Sequence, residues 1–213
     1  DDVLLHALPI FHIHGLFVAC HCVLLNGGKM IFLPNFDAAE VARRLPQATV
    51  FMGVPTYYTR LLALPDFGAD ACRHMRLFTC GSAPLLTQTF EEFRQRSGHE
   101  ILERYGMTET GMNTSNPLAG PRHPGTVGLP LPGVSVRIVG EHGVELADGE
   151  VGALEVKGAN VFSGYWRKPA TTAAEFTADG WFKTGDLARR DADGYVAIVG
   201  RAKDLIISGG LNI

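Results

Sequence analysis

The sequence is short of several things, and each shortage removes a class of protein. Four cysteines (Cys20, Cys22, Cys72, Cys80) in 213 residues are too few for a disulfide scaffold. No apolar run approaches the roughly 20 residues that span a bilayer. The longest, Leu16 to Leu25, is broken by His21 and ends in Asn26-Gly27-Gly28. Basic charge is not in excess: the net charge is -3, against the cationic face that nucleic acid or an anionic membrane requires. There is no internal repeat, and the chain opens at Asp1 with neither Met nor signal peptide. The expectation is a soluble, cytoplasmic protein with no nucleic-acid, membrane or obligate protein partner, and the opening hints at a piece of a longer one. What remains is an ordinary globular mix, 46% hydrophobic and 19% charged, long enough for one large domain or two small ones.

Within residues 1–115 short apolar runs alternate with helical patterns. Val3-Leu4-Leu5, Met30-Ile31-Phe32-Leu33, Val50-Phe51-Met52 and Leu77-Phe78 read as buried strands, too short for helices. Asp37 to Leu45 reads as a helix capped by Asp37, with Val41 and Leu45 on one face. Pro55 to Leu64 opens with a first-turn proline and turns Tyr58, Leu61 and Leu62 inward. Pro84 to Ser97 puts Leu86, Phe90 and Phe93 on one face and stops at Gly98. Strands alternating with helices predict an α/β class with a mainly parallel sheet.

The pattern changes at 116–133, where Pro and Gly supply half the positions and mark a turn-rich connection. Over 134–203 the period falls to two. Val134, Val136 and Ile138 alternate with Ser135 and Arg137, and Leu154 and Val156 with Glu155 and Lys157; Tyr195 to Val199 is a further strand. A small β-rich subdomain therefore follows the α/β part, and 204–213 is left over.

Three loops carry more chemistry than a connection needs. Cys80-Gly81-Ser82-Ala83-Pro84 follows a strand and opens a helix, so its backbone N–H groups sit where an anion or flat ring can be held. A tight turn is the plain alternative. Glu103 to Thr110 gathers an aromatic face (Tyr105), a permissive Gly106, a hydroxyl (Thr108) and a hard carboxylate (Glu109). These suit a base, a phosphate and Mg²⁺, while a helix cap at Thr108 is the alternative. Gly180-Trp181-Phe182-Lys183-Thr184-Gly185-Asp186 is followed by Gly200-Arg201-Ala202-Lys203-Asp204 and Ser208-Gly209-Gly210. There Asp186 also reads as a turn residue, and Arg201 and Lys203 as solvated charge.

Taken in order, with Gly164-Tyr165-Trp166 between the second and third, these motifs resemble the adenylate-forming superfamily of acyl-CoA synthetases, nonribosomal adenylation domains and luciferases. The resemblance runs from about Leu8 to the last residue. It implies ATP, Mg²⁺ and coenzyme A as cofactors and cosubstrate. It also implies that Gly81, Ser82 and Ala83 line the adenine and the acyl carboxylate, and that Tyr105, beside Gly106, stacks on adenine. Thr108 then binds the α-phosphate and Glu109 the Mg²⁺, while Asp186 accepts from the ribose hydroxyls and Arg201 meets the ribose or phosphate edge. Asp204 matches the hinge of a smaller C-terminal domain, and Gly209-Gly210 a loop that meets pantetheine. A phosphate loop is expected upstream of Asp1 and a lysine after Ile213. The chain thus reads as the central part of a large N-terminal domain, with a distorted-barrel β subdomain, and as inactive alone.

Leu8-Pro9-Ile10-Phe11-His12-Ile13-His14-Gly15-Leu16 matches the superfamily's gating motif, which places His12 on the substrate side; His14, two residues on, reads as structural. This motif, together with Gly53 to Leu62 and Tyr105 to Ser115, resembles malonyl-CoA synthetases. On that resemblance the acid is malonate or a similar small dicarboxylate, activated as its adenylate and passed to CoA. Arg60 then takes the second carboxylate, with Thr56 and Tyr57 on the same helix face. A surface role beside Asp66 is the alternative for Arg60. Met107 is expected to wall the pocket, with core gap-filling as its alternative. Other readings stay open: a synthetase for fatty or aryl acids, an adenylation domain feeding a carrier protein, or a non-catalytic nucleotide-binding module.

Overall fold

The structure, a computed structural model, describes residues 2–202 and the short strands Ile207–Ser208 and Leu211–Asn212. Asp204, Gly209 and Gly210, assigned above to the hinge and the pantetheine loop, lie outside the described residues. The apolar runs become β1 (Val3–His6), β2 (Lys29–Phe32), β3 (Val50–Gly53) and β4 (Leu77–Cys80), and β5 (Ile101–Met107) joins them in parallel. β6 (Gly111–Ser115) and β7 (Leu129–Pro130) then turn back antiparallel, giving a seven-stranded sheet in the order β2-β1-β3-β4-β5-β6-β7.

Because alternate strand residues face opposite ways, the sheet has two apolar faces. Leu5, Phe51 and Phe78 meet the helices α2 (Ala38–Arg44), α3 (Pro55–Leu62), α4 (Ala69–Cys72) and α5 (Thr87–Ser97) in the main core. On the other face Leu4, Val50 and Met52 pack on Ala19 and Val23. These two belong to a π-helical stretch His14–Cys20 and the helix α1 (His21–Leu25) that continues it. Asp37 caps α2 by accepting from Glu40 N–H at 2.8 Å, and Gly98 ends α5 with φ 76°.

The helix read from Pro84 starts three residues later, at Thr87. Leu86 is extended and 69% exposed rather than core, and the Leu85 N–H before it donates to the Glu103 carboxylate. The second sheet is antiparallel, in the order β11-β10-β9-β8. Its strands are β8 (Val134–Val139), β9 (Gly152–Gly158), β10 (Phe182–Arg190) and β11 (Val196–Arg201). The helix α6 (Pro169–Glu175) precedes β10. The Pro/Gly-rich connection is anything but slack. Buried Asn116 donates to Glu103 O and Thr126 O, and the Gly128–Val196 bridge ties the two sheets together. A Cβ on Gly128 would lie 2.0 Å from Ser115 C, so that crossing admits only glycine. Among the described residues no helix is long and apolar enough to cross a membrane.

Phe93 of α5 is fully buried, with its ring 5.1 Å from Tyr58, 4.9 Å from Phe78 and 5.7 Å from Phe67. Phe93→Ala is expected to cost about 3–5 kcal/mol of stability, since the rigid ring neighbours cannot collapse into the cavity. A denaturant midpoint unchanged in the variant would contradict this.

Candidate functional site

The two sheets meet at a cavity of about 440 Å³. Ser82 and Ala83 reach it from the loop after β4, Tyr105, Gly106 and Met107 from the end of β5, and Asp186 and Arg201 from β10 and β11. Seven residues singled out in the sequence thus line one space. Tyr105 Oη–H donates to Asp186 Oδ2 at 2.6 Å, and Arg201 Nε lies 3.3 Å from Asp186 Oδ1. Burial, and then the Asp186 carboxylate, push the Tyr105 phenol above its ordinary range, so it stays a donor.

Two of the loops expected from sequence are strands here. Tyr105 lies in β5, where an irregularity between Tyr105 and Gly106 breaks the pairing with β6. Gly106 is obligatory, because a Cβ there would stand 2.0 Å from Gly111 O. Asp186 lies in β10 just after Gly185, whose φ of 76° and the register break between Lys183 and Leu187 re-aim the strand. The first loop does not open a helix. Ser82 adopts φ 70° and the chain is non-helical up to Leu86, so the cavity wall is loop backbone and not a helix N-terminus.

Thr108 and Glu109 form the β5–β6 turn, so the helix-cap alternative falls. Thr108 is exposed and Glu109 half-buried, and neither lines the cavity. Glu109 Oε1 accepts from Tyr165 Oη–H at 3.0 Å, and among the described residues no donor reaches Oε2. No three His, Cys, Asp or Glu converge among the described residues. One free carboxylate oxygen beside a hydroxyl fits Mg²⁺, which keeps most of its water and phosphate oxygens rather than an all-protein cage. The donor set therefore suits the ion that the motif implies.

A smaller cavity of about 30 Å³ adjoins the first, sharing Ser82, Arg104 and Gly106 with it and adding His14, Gly81 and Met112. His14 Nδ1 lies 3.0 Å from Ser82 Oγ, while His14 Nε2 and Arg104 Nε are buried without partners. Arg104 Nη2 donates to Thr79 Oγ1 at 3.1 Å. Burial, and after it the Arg104 charge, hold the His14 imidazole down at about 4. No carboxylate lines this smaller cavity.

His12 and Arg60, like Thr108 and Glu109, line neither cavity. His12 is exposed and packs its ring on Phe11 at 4.6 Å, lining neither cavity, whereas His14, read as structural, faces Ser82. His12 lies in the turn before the helix, its N–H bonded to Pro9 O, while His14 opens the π-helical stretch. Arg60 is exposed on the outer face of α3, its guanidinium 5.1 Å from the Phe36 ring centroid. Tyr58, Leu61 and Leu62 take the inner face of α3, so Arg60 cannot share it. Glu103 and Arg104 were not singled out; the available signal was two adjacent charges in a stretch that continues a buried strand.

A family model described as AMP-binding enzyme matches residues 1–166. The whole chain is 40% identical over 250 residues to the mitochondrial malonate–CoA ligase of Mus musculus, covering 42% of it. It is 40% identical over 216 residues to the sulfoacetate–CoA ligase of Cupriavidus necator, again covering 42%. Among solved structures, ATP-bound MatB from Rhodopseudomonas palustris is 57% identical with a TM-score of 0.98, matched over all of this chain and 42% of that one. The chain therefore spans about two fifths of the length of these relatives.

Glu103 lines the large cavity 4% exposed, with Oε2 unpartnered, and burial pushes its carboxyl up to about 7 against a weaker pull from the Leu85 N–H. A folded-state value above the unfolded one means the folded chain holds the extra proton. Stability therefore falls as pH rises from about 4.5 to 7. Glu103→Gln should remove that slope, gaining up to about 3 kcal/mol on wild type between pH 4.5 and pH 8. Parallel stability–pH curves for the two proteins would refute it. His14 acts with the opposite sign, stabilising as pH rises from its folded value near 4.

Proposed function

The chain belongs to the AMP-binding enzyme family, and on that premise we propose that the full protein joins a small dicarboxylic acid, malonate or one of its size, to coenzyme A using ATP. The carboxylate attacks the α-phosphate and releases pyrophosphate; the CoA thiolate then displaces AMP. The large cavity takes the nucleotide, with the Tyr105 ring as a stacking face and Asp186 accepting from the ribose diol beside Arg201. Thr108 meets the α-phosphate and Glu109 the cation, which supplies charge neutralisation on the phosphates. These groups act chiefly by positioning.

The observation that carries the choice of acid is Arg104. A buried guanidinium with a free Nε, a neutral His14 with a free Nε2 and the Ser82 hydroxyl face a space of about 30 Å³ next to the nucleotide cavity. A second carboxylate there meets a cation and hydrogen-bond donors, and would draw a proton onto His14. A fatty or aryl tail would not fit the volume and would leave the charge stranded. The names of the malonate and sulfoacetate ligases agree in chemistry, since both acids carry a second anion, while a feruloyl-CoA synthase is matched at 37% identity. Met107 lines the same large cavity and limits substituents on the acid's α-carbon.

In the full-length enzyme, Arg104→Met should lose about 3–5 kcal/mol of malonate kcat/KM, the scale of unpairing a buried charge. It should cost acetate and butyrate far less and leave the thermal midpoint equal or higher. Arg60→Ala should leave all three acids unchanged. Equal losses for malonate and acetate in Arg104→Met would rule out the dicarboxylate site. Separately, Asp186→Ala should weaken ATP binding by about 2–4 kcal/mol through the lost charge-assisted ribose contacts. Calorimetric titration showing unchanged ATP affinity would remove Asp186 from the ribose.

A further inference from the structure

The loop after β9 grips the β5–β6 turn at successive points. Asn160 Nδ2 donates to Thr110 O at 2.8 Å and to Asn113 Oδ1 at 3.0 Å. The Phe162 N–H donates to Glu109 O at 2.8 Å, and Tyr165 Oη–H to Glu109 Oε1 at 3.0 Å. The loop is itself anchored. Phe162 meets the buried Phe182 of β10 edge-on at 5.4 Å and the Tyr165 ring at 4.8 Å. Tyr165 N–H donates to Thr172 Oγ1 at 2.9 Å on α6. A half-buried carboxylate on a hairpin turn would otherwise swing freely; here its backbone and one oxygen are both tied to the second sheet.

We propose that Tyr165 is a positioning residue which fixes the Glu109 carboxylate with Oε1 occupied and Oε2 presented to the divalent cation that accompanies ATP. The proposal rests on the reading of Glu109 as that cation's ligand. Partners of this kind, one bond behind a ligand, commonly account for ten- to a hundredfold in metal affinity. Since the phenol reaches one oxygen only, its effect falls on metal binding and on steps that need the metal, with the acid site untouched.

The test uses the full-length enzyme and reads Mn²⁺ affinity by electron paramagnetic resonance in the presence of a non-hydrolysable ATP analogue, alongside the Mg²⁺ activation curve. Tyr165→Phe keeps the ring packed on Phe162. It should weaken Mn²⁺ about tenfold and shift half-maximal activation by Mg²⁺ equally. High Mg²⁺ should restore most of kcat, and KM for the acid should not move. In a Glu109→Gln background the same change should add nothing. Mn²⁺ affinity within twofold of wild type, or losses that add across the two substitutions, would overturn the proposal. If Glu109→Gln itself leaves Mn²⁺ binding intact, it is the reading of Glu109 that fails. Should Tyr165→Phe not fold, Thr172→Val loosens Tyr165 from behind and should weaken Mn²⁺ two- to threefold; no change there would equally overturn it.

Discussion

The hydrogen bond from Tyr105 to Asp186 is the contact on which the site depends, because it closes one wall of the cavity across two sheets that fold on different patterns. Tyr105 belongs to a strand of the mainly parallel sheet and Asp186 to an antiparallel one. Each side has spent regularity to reach the other: the first breaks its pairing after Tyr105, and the second breaks register around Gly185. Asn116 and the Gly128–Val196 bridge hold the same junction from behind. A nucleotide-sized space at such a seam is walled by rigid strands on both sides, which is how a site is kept ready without a ligand to organise it.

The buried charges show what the site costs the fold. Arg104 and Glu103 lie side by side in β5, yet neither pairs with the other, and each keeps one buried atom without a partner. A core assembled for stability alone would replace both with apolar residues. Glu103 lines only the large cavity, whereas Arg104 lines both. The apolar packing of Phe51, Tyr58, Phe78 and Phe93 behind them supplies the surplus that tolerates this.

Much of the fold was legible because it obeys local rules. The apolar runs at 3–5, 50–52 and 77–78 are strands, Asp37 caps a helix, and Gly98 ends one. The period-two stretches at 134–138 and 154–156 pair antiparallel. The motif residues Ser82, Ala83, Tyr105, Gly106, Met107, Asp186 and Arg201 were legible in sequence and line one cavity. The small cavity was not legible. His12 and His14 differ by two positions, and only the turn geometry between them says which one faces inward. Arg60 lies exposed on α3 over the Phe36 ring, while Arg104 lies in a strand whose burial no local pattern announces. Tyr165 was visible in its motif, but its partner lies 56 residues away, a pairing that no periodicity encodes.

The widened helical stretch His14–Cys20 makes chain length a determinant of the small cavity's shape. A π turn holds one residue more than an α turn, so it amounts to a single-residue insertion accommodated without breaking the helix. Deleting one residue between His14 and Cys20 would let the stretch close to α-helical pitch while its two ends keep their places, shifting the side chains between them. Phe17 and Leu16, exposed here, are among them. Ile13, His14 and Val18 all line the small cavity, so a change of one residue in the length of this segment bears on that cavity's wall as a whole.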